Sequence, residues 1–100
     1  MTDQKGKRKM ELKQYILLRA SKKTGKIDTT MDAIGKGLLS MWALQNTPKG
    51  KESYIIERES GEIISIYSGT GGFPDIEKGC CGFIDSDLLE ALKKEIPSRI

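Results

Sequence analysis

Residues 53–68 read SYIIERESGEIISIYS. Two runs rich in Ile and Tyr flank Ser60-Gly61. β-Branched and aromatic side chains suit a pleated, half-buried surface, and a small polar residue followed by Gly suits a tight hairpin. With Ser60 and Gly61 as the two turn residues, Ile55 faces Ile66, Tyr54 faces Tyr67 and Arg58 faces Ile63. That register puts Tyr54, Ile56, Ile63 and Tyr67 on one face, and Ile55, Ile64 and Ile66 on the other. Neither face is polar, so at least one of these strands is expected to be covered on both sides.

The same pattern appears upstream in residues 14–20, QYILLRA, where Tyr15, Ile16, Leu17 and Leu18 run together without alternation. This is the signature of a strand buried on both faces. The stretch 21–26, SKKTGK, then turns the chain with Gly25 as pivot, because glycine takes positive φ without strain.

Between these strand signals, residues 27–46, IDTTMDAIGKGLLSMWALQN, predict a helix over 29–45. Asp28 or Thr29 would cap it, and Asp32 stands where a capping box usually has Glu or Gln. Met31, Ile34, Leu38, Met41, Trp42 and Gln45 step by three and four and would form its buried face. Asn46 and Pro48 end it. Gly35 and Gly37 each cost up to about 1 kcal/mol of helix propensity relative to Ala. Close packing against the strands would explain them, and so would backbone around Lys36 left open to a ligand.

Downstream, residues 69–83, GTGGFPDIEKGCCGF, carry glycines and a proline and read as a long irregular loop anchored by Phe73, Ile76 and Phe83. Long loops of this kind are often functional. A second helix follows. Asp85 or Ser86 caps it, Leu88, Leu89, Leu92 and Ile96 form its buried stripe, Lys93 and Lys94 suit its C-terminal end, and Pro97 stops it. The order β-α-β-β-α implies a small α+β domain with a mainly antiparallel sheet of at least three strands and helices packed against it.

One hundred residues, 37% apolar and 31% charged, allow one hydrophobic core. Residues 1–11 are expected to be a flexible basic arm and 12–100 a single α+β domain. No apolar run approaches the roughly 20 residues that span a bilayer, and the N-terminus lacks the apolar stretch of a signal peptide, so no membrane partner and a cytoplasmic location are expected. The net charge of +3 is uneven. Residues 1–26 carry nine Lys or Arg against two acidic residues, a net of +7, and the remainder carry −4.

Several chemistries are poorly supplied. The only cysteines, Cys80 and Cys81, are adjacent, and histidine is absent. Zinc within one chain lacks its four ligands, although two chains could pool their thiolates. Adjacent Cα atoms stand about 3.8 Å apart, closer than a relaxed disulfide accepts. Their place just before a helix N-terminus leaves a lowered thiol pKa open, against the simpler reading of small apolar loop residues. Catalytic triads built on histidine are ruled out. Glu57, Glu59 and Glu62 surround an exposed hairpin tip and suit solvation better than acid-base work. SGTGG at 68–72 leads into Phe73-Pro74 rather than a helix, so it fits no phosphate-loop pattern. No metal and no cofactor are expected.

What remains is binding. For a protein partner the candidate contacts are Met41, Trp42, Tyr54, Tyr67 and Phe73, since Trp and Tyr dominate interface hot spots. For nucleic acid they are Lys5, Lys7, Arg8, Lys9, Lys13, Lys22 and Lys23, with Tyr54 and Tyr67 as a stacking pair on an open sheet face. The leading expectation is a non-enzymatic regulatory protein, of the kind found among bacterial and phage inhibitors, acting through protein-protein contact. Nucleic-acid binding is the alternative, a thiol-dependent enzyme a third, and a homodimer is open under each.

Overall fold

The run at 14–20 forms an interior strand of a sheet. The computed structural model describes residues 13–69, 76–78 and 82–98. β1 (Gln14–Ser21) is flanked on one side by β2 (Ile27–Ile34) and on the other by β3 (Lys51–Glu57), antiparallel to both. β4 (Glu62–Ser68) pairs with β3, and two short strands, β5 (Ile76–Lys78) and β6 (Gly82–Phe83), pair with successive parts of β4. The sheet order is β2-β1-β3-β4-β5. Two helices, α1 (Gly37–Asn46) and α2 (Ser86–Glu95), complete an α+β domain.

Each face of the sheet has its own apolar cluster. Ile16, Leu18, Ala20 and Ile56 pack with Leu92 of α2, with Tyr54, Ile63, Ile84 and Leu88 around them. Leu17, Ile55 and Tyr67 pack with Leu39 and Ala43 of α1, with Tyr15, Met31, Ala33, Trp42 and Ile64 around them. Ile16, Leu17, Ile55 and Ile56 are fully buried. Removing a side chain of this kind from water contributes about 1.5–3 kcal/mol. The unbroken apolar runs of β1 and β3 are therefore what a two-sided sheet requires.

The hairpin forms, but its register differs from the expected one. Ile56 faces Ile63, Ile55 faces Ser65, Tyr54 faces Ile66 and Ser53 faces Tyr67, with an irregularity between Ile55 and Ile56. The turn is wider than two residues: Gly61 N–H donates to the Glu57 carbonyl at 2.8 Å, and Gly61 takes a φ of 78°. Ile64 is the extra residue, and past it the faces of β4 are exchanged relative to the expectation. Tyr54 thus faces α2 while Tyr67 faces α1, and the stacking pair does not form.

The predicted helix at 29–45 is the main correction. Residues 27–34 are a strand, and the helix runs only over Gly37–Asn46. Gly35 takes a φ of 81°, which ends the strand, and its N–H donates to the Lys13 carbonyl at 2.8 Å. Close packing does not explain the two glycines, since a Cβ on either would meet nothing within 4 Å. The buried side of α1 is Leu39 and Ala43; of the expected stripe, Leu38 and Met41 face water, while Trp42 packs partly against the core.

Other expectations hold. Gly25 has a φ of 76° at the β1–β2 turn. The Asp85 carboxylate caps α2 by accepting from the N–H groups of Asp87 (3.0 Å) and Leu88 (3.2 Å). Leu89 and Leu92 are buried, with Lys93 and Lys94 in the last turn. One further expectation fails: the stretch read as an irregular loop holds β5 and β6, and Phe83, expected to anchor it, is 67% exposed. The basic arm at 1–11, Phe73, Cys80 and Cys81 lie outside the described residues.

The two ends of β4 are constrained differently from α1. A Cβ on Gly69 would lie 2.0 Å from the Pro48 carbonyl oxygen. We predict that Gly69→Ala destabilises the domain by several kcal/mol, about 3 or more, because backbone must move. Gly37→Ala should be neutral or stabilising by up to about 1 kcal/mol. Urea titration of the two variants checks both; a similar midpoint for both would contradict the packing at Gly69.

Candidate functional site

α1 leaves the sheet with an unusual surface. Nearly every residue of GLLSMWALQN before Gln45 is apolar or small, so the helix has apolar side chains on every side. Such helices are normally enclosed. Here Leu38 is 72% exposed, Met41 56% and Leu44 44%, and Ile34 at the end of β2 is also 44% exposed. Intervals of three set Leu38, Met41 and Leu44 on successive turns. Met41 stands opposite the buried pair Leu39 and Ala43, so the three exposed side chains form the outward face.

The helix is held in this orientation by a polar network at its C-terminal end. Arg19 of β1 projects to the α1 side. Its Nη1 donates to the Asn46 carbonyl, its Nε donates to Asp28 Oδ1 at 2.9 Å, and its guanidinium lies 5.2 Å from the centre of the Trp42 ring. Asp28 also receives the Lys51 ammonium and the Thr29 hydroxyl. The register shift between Arg19 and Ala20 makes Asp28 the bulged residue of β2, and a bulge re-aims a side chain. Beside it, buried Thr47 donates its hydroxyl to the Ala43 carbonyl at 2.6 Å, and its oxygen lies 2.6 Å from Ser53 Oγ. Of the carbonyls at the C-terminal end of α1, that of Asn46 thus finds its partner on the sheet and that of Ala43 on Thr47, just past the helix.

α2 is tethered in the same way. Arg58, 7% exposed, donates Nη1 to the Ile96 carbonyl and Nη2 to the Lys93 carbonyl.

These positions sort the expected contacts. Met41 is on the outward face, and Trp42 is half-buried beneath Arg19. Tyr67 is 2% exposed and belongs to the core. Tyr54 lines a cleft beneath α2, with its hydroxyl donating to Glu52 at 2.7 Å. Lys13 pairs with Glu57 at 2.9 Å, Lys22 donates to the Gly69 carbonyl at 2.8 Å, and Lys23 is exposed at the β1–β2 turn. Lys5, Lys7, Arg8, Lys9 and Phe73 lie outside the described residues. Leu38, Leu44 and Ile34 were not among the expected contacts. The one signal for them in the sequence was an apolar composition exceeding what a single buried stripe needs.

Two carboxylates, Asp28 and Glu57, are committed to cations. Arg19 and Lys51 hold Asp28 well below the usual carboxylate range. Ser60 and Lys13 lower Glu57, and Glu57 in turn raises Lys13. A carboxylate held ionised in this way is a poor general acid. No cluster of three metal-ligating side chains occurs among the described residues, and no helix there is long and apolar enough to cross a membrane. Compared with known proteins, the chain matches no family model, no curated protein and no solved structure.

The Asp28 network gives a pH prediction. A carboxyl whose folded pKa lies below its ordinary 3.8 contributes stability that is complete above that value and is lost as pH falls towards the folded value. Asp28→Asn should therefore be less stable than the native chain at pH 7, and the difference should close progressively below about pH 4. Arg19→Ala should cost about 2 kcal/mol at pH 7, through the lost charged hydrogen bonds and the ring contact. Urea melts from pH 2 to 7 read both effects; a difference that widens on acidification would contradict the network.

Proposed function

We propose that this chain is a non-enzymatic binding domain that presents the outer face of α1 to a protein partner. The observation that carries this reading is the exposure of Leu38, Met41 and Leu44 together on one helix ten residues long. Single exposed apolar residues are ordinary, whereas a contiguous apolar patch marks an interaction surface. Helices bind partner grooves through anchors spaced three and four apart, and Leu38, Met41 and Leu44 follow one another at intervals of three. Methionine adds an unbranched side chain that adapts to irregular surfaces. Trp42 lies at the patch border, where Arg19 stacks on its ring and stiffens it.

The partner suited to this face is a protein with an apolar groove wide enough for one helix. Arg19 and Lys51 at the C-terminal end of α1 are engaged by Asp28, so the contact would be mainly apolar and only weakly salt-dependent. A regulatory role, in which the chain occupies a surface that its partner needs, fits a domain built around such a patch.

Site-specific photocrosslinking in host cells tests the proposal. A benzophenone amino acid at Met41 should yield a discrete adduct with a second protein, and the same group at Glu90 on α2 should not. The adduct should disappear when Leu38→Glu is added in a chain that still folds by circular dichroism. Absence of an adduct from Met41, or an adduct only of twice the chain mass, would overturn the proposal of a different protein as partner.

A further inference from the structure

One end of the sheet gathers positive charge. There the β1–β2 turn, the α1–β3 connection and the end of β4 meet. Lys22 N–H donates to the Gly50 carbonyl at 2.8 Å, Gly69 N–H donates to the Lys51 carbonyl at 3.0 Å, and Lys22 Nζ reaches the Gly69 carbonyl. These segments carry Lys22, Lys23, Lys26, Lys49 and Lys51. Lys51 and Arg19 neutralise Asp28. Lys23, Lys26 and Lys49 are exposed and form no ion pair with another described residue.

The turn that bears two of these lysines is built in advance. Ser21 Oγ accepts from the N–H groups of Lys23 (3.1 Å) and Thr24 (3.2 Å). The Ser21 carbonyl accepts from Gly25 N–H at 2.8 Å, and Thr24 Oγ1 accepts from Lys26 N–H at 3.2 Å. With its backbone N–H groups satisfied, the turn offers ammonium groups rather than a backbone cradle.

A cleft of about 310 Å³ opens beside this turn, between the sheet and α2. Its apolar walls include Leu18, Ile27, Ile63 and Leu88, Tyr54 gives it an aromatic side, and Lys22 and Gly25 stand on its lining where the basic end begins. A second opening of about 380 Å³ shares Ile27 and Leu88 and continues along α2. The volume lies at the lower end of the range for small-ligand pockets, enough to admit a nucleobase.

We infer that this end binds single-stranded nucleic acid, with the phosphodiester backbone running over Lys23, Lys26 and Lys49 and one base entering the cleft against Tyr54. The combination is the one that single-strand binders use: cations that follow the backbone and an aromatic surface on which a base stacks. Lysines act on phosphate as point charges, so the contact would be tolerant of sequence. A duplex keeps its bases stacked inside and could use only the lysines. This site is separate from the outer face of α1 and independent of the protein-binding reading.

Fluorescence anisotropy with the full chain tests it, using labelled 12-nucleotide single strands of DNA and RNA, the matching duplex, and poly-glutamate as an unrelated polyanion. The parent chain should carry Lys5, Lys7, Arg8 and Lys9 all changed to Gln, so that their charges do not contribute. Single strands should bind more tightly than the duplex at 50 mM salt. Lys23→Glu with Lys26→Glu and Lys49→Glu should abolish binding, and the neutral Gln triple should lower the salt slope by about 2. Tyr54→Leu should weaken single-strand binding about tenfold and leave the duplex unchanged. Circular dichroism and urea melts identify any variant that fails to fold, and for the tyrosine Tyr54→Phe, which keeps the ring, should bind like the parent. No binding by the parent, equal binding of poly-glutamate, or a lysine triple that binds as before would overturn the inference.

Discussion

Burial of β1 on both faces is the constraint on which the rest of the domain depends. Ile16 and Leu18 project to one side and Leu17 to the other, and all three are buried. A strand of this kind needs hydrogen-bonded neighbours along both edges and apolar cover above and below. β2 and β3 supply the edges, and α1 and α2 supply the cover. A ten-residue helix is marginal alone in water, so each helix forms because the sheet offers it a surface. An arginine also reaches the C-terminal end of each, Arg19 from β1 to α1 and Arg58 from the β3–β4 turn to α2.

Small helices over a two-sided sheet leave a surplus. The α1 side of the sheet takes up Leu39, Ala43 and part of Trp42, and Leu38, Met41 and Leu44 face outward. The exposed apolar face of α1 is thus a product of the core's geometry. At one end of the sheet, the loops that close it bring five lysines together from segments distant in sequence. The domain accordingly has two surfaces of different chemistry, one apolar on α1 and one cationic beside the Tyr54 cleft.

Much of this was legible in residue order. The apolar run of β1, the strands around Ser60-Gly61, the pivot at Gly25 and the capped helix after Asp85 each carry a local signal that tertiary packing did not overrule. Three features were not legible. Residues 27–34 contain Met31 and Ile34 at helical spacing from Leu38, yet their Thr-rich segment pairs with β1 along its whole length, and Gly35 breaks the chain direction. The hairpin register turned on one extra residue, Ile64, which no composition signal marks. The buried side of α1 could not be chosen by periodicity, because a helix apolar on every side has no preferred stripe; the fit of small Ala43 against the sheet and the tie from Arg19 to its last turn decide it. Leu38 and Met41 were both placed on the inward stripe, yet both are exposed, and Leu44, outside that stripe, is exposed beside them.

Native-state hydrogen exchange on β1 tests the two-sided core most directly. If β1 is the doubly covered centre, the amides of Ile16, Leu17 and Leu18 exchange only when the whole domain unfolds, and their opening free energy equals the stability measured in urea. Exchange of these amides through an opening well below global stability would contradict that account, since one face of the strand would then be uncovered without loss of the fold.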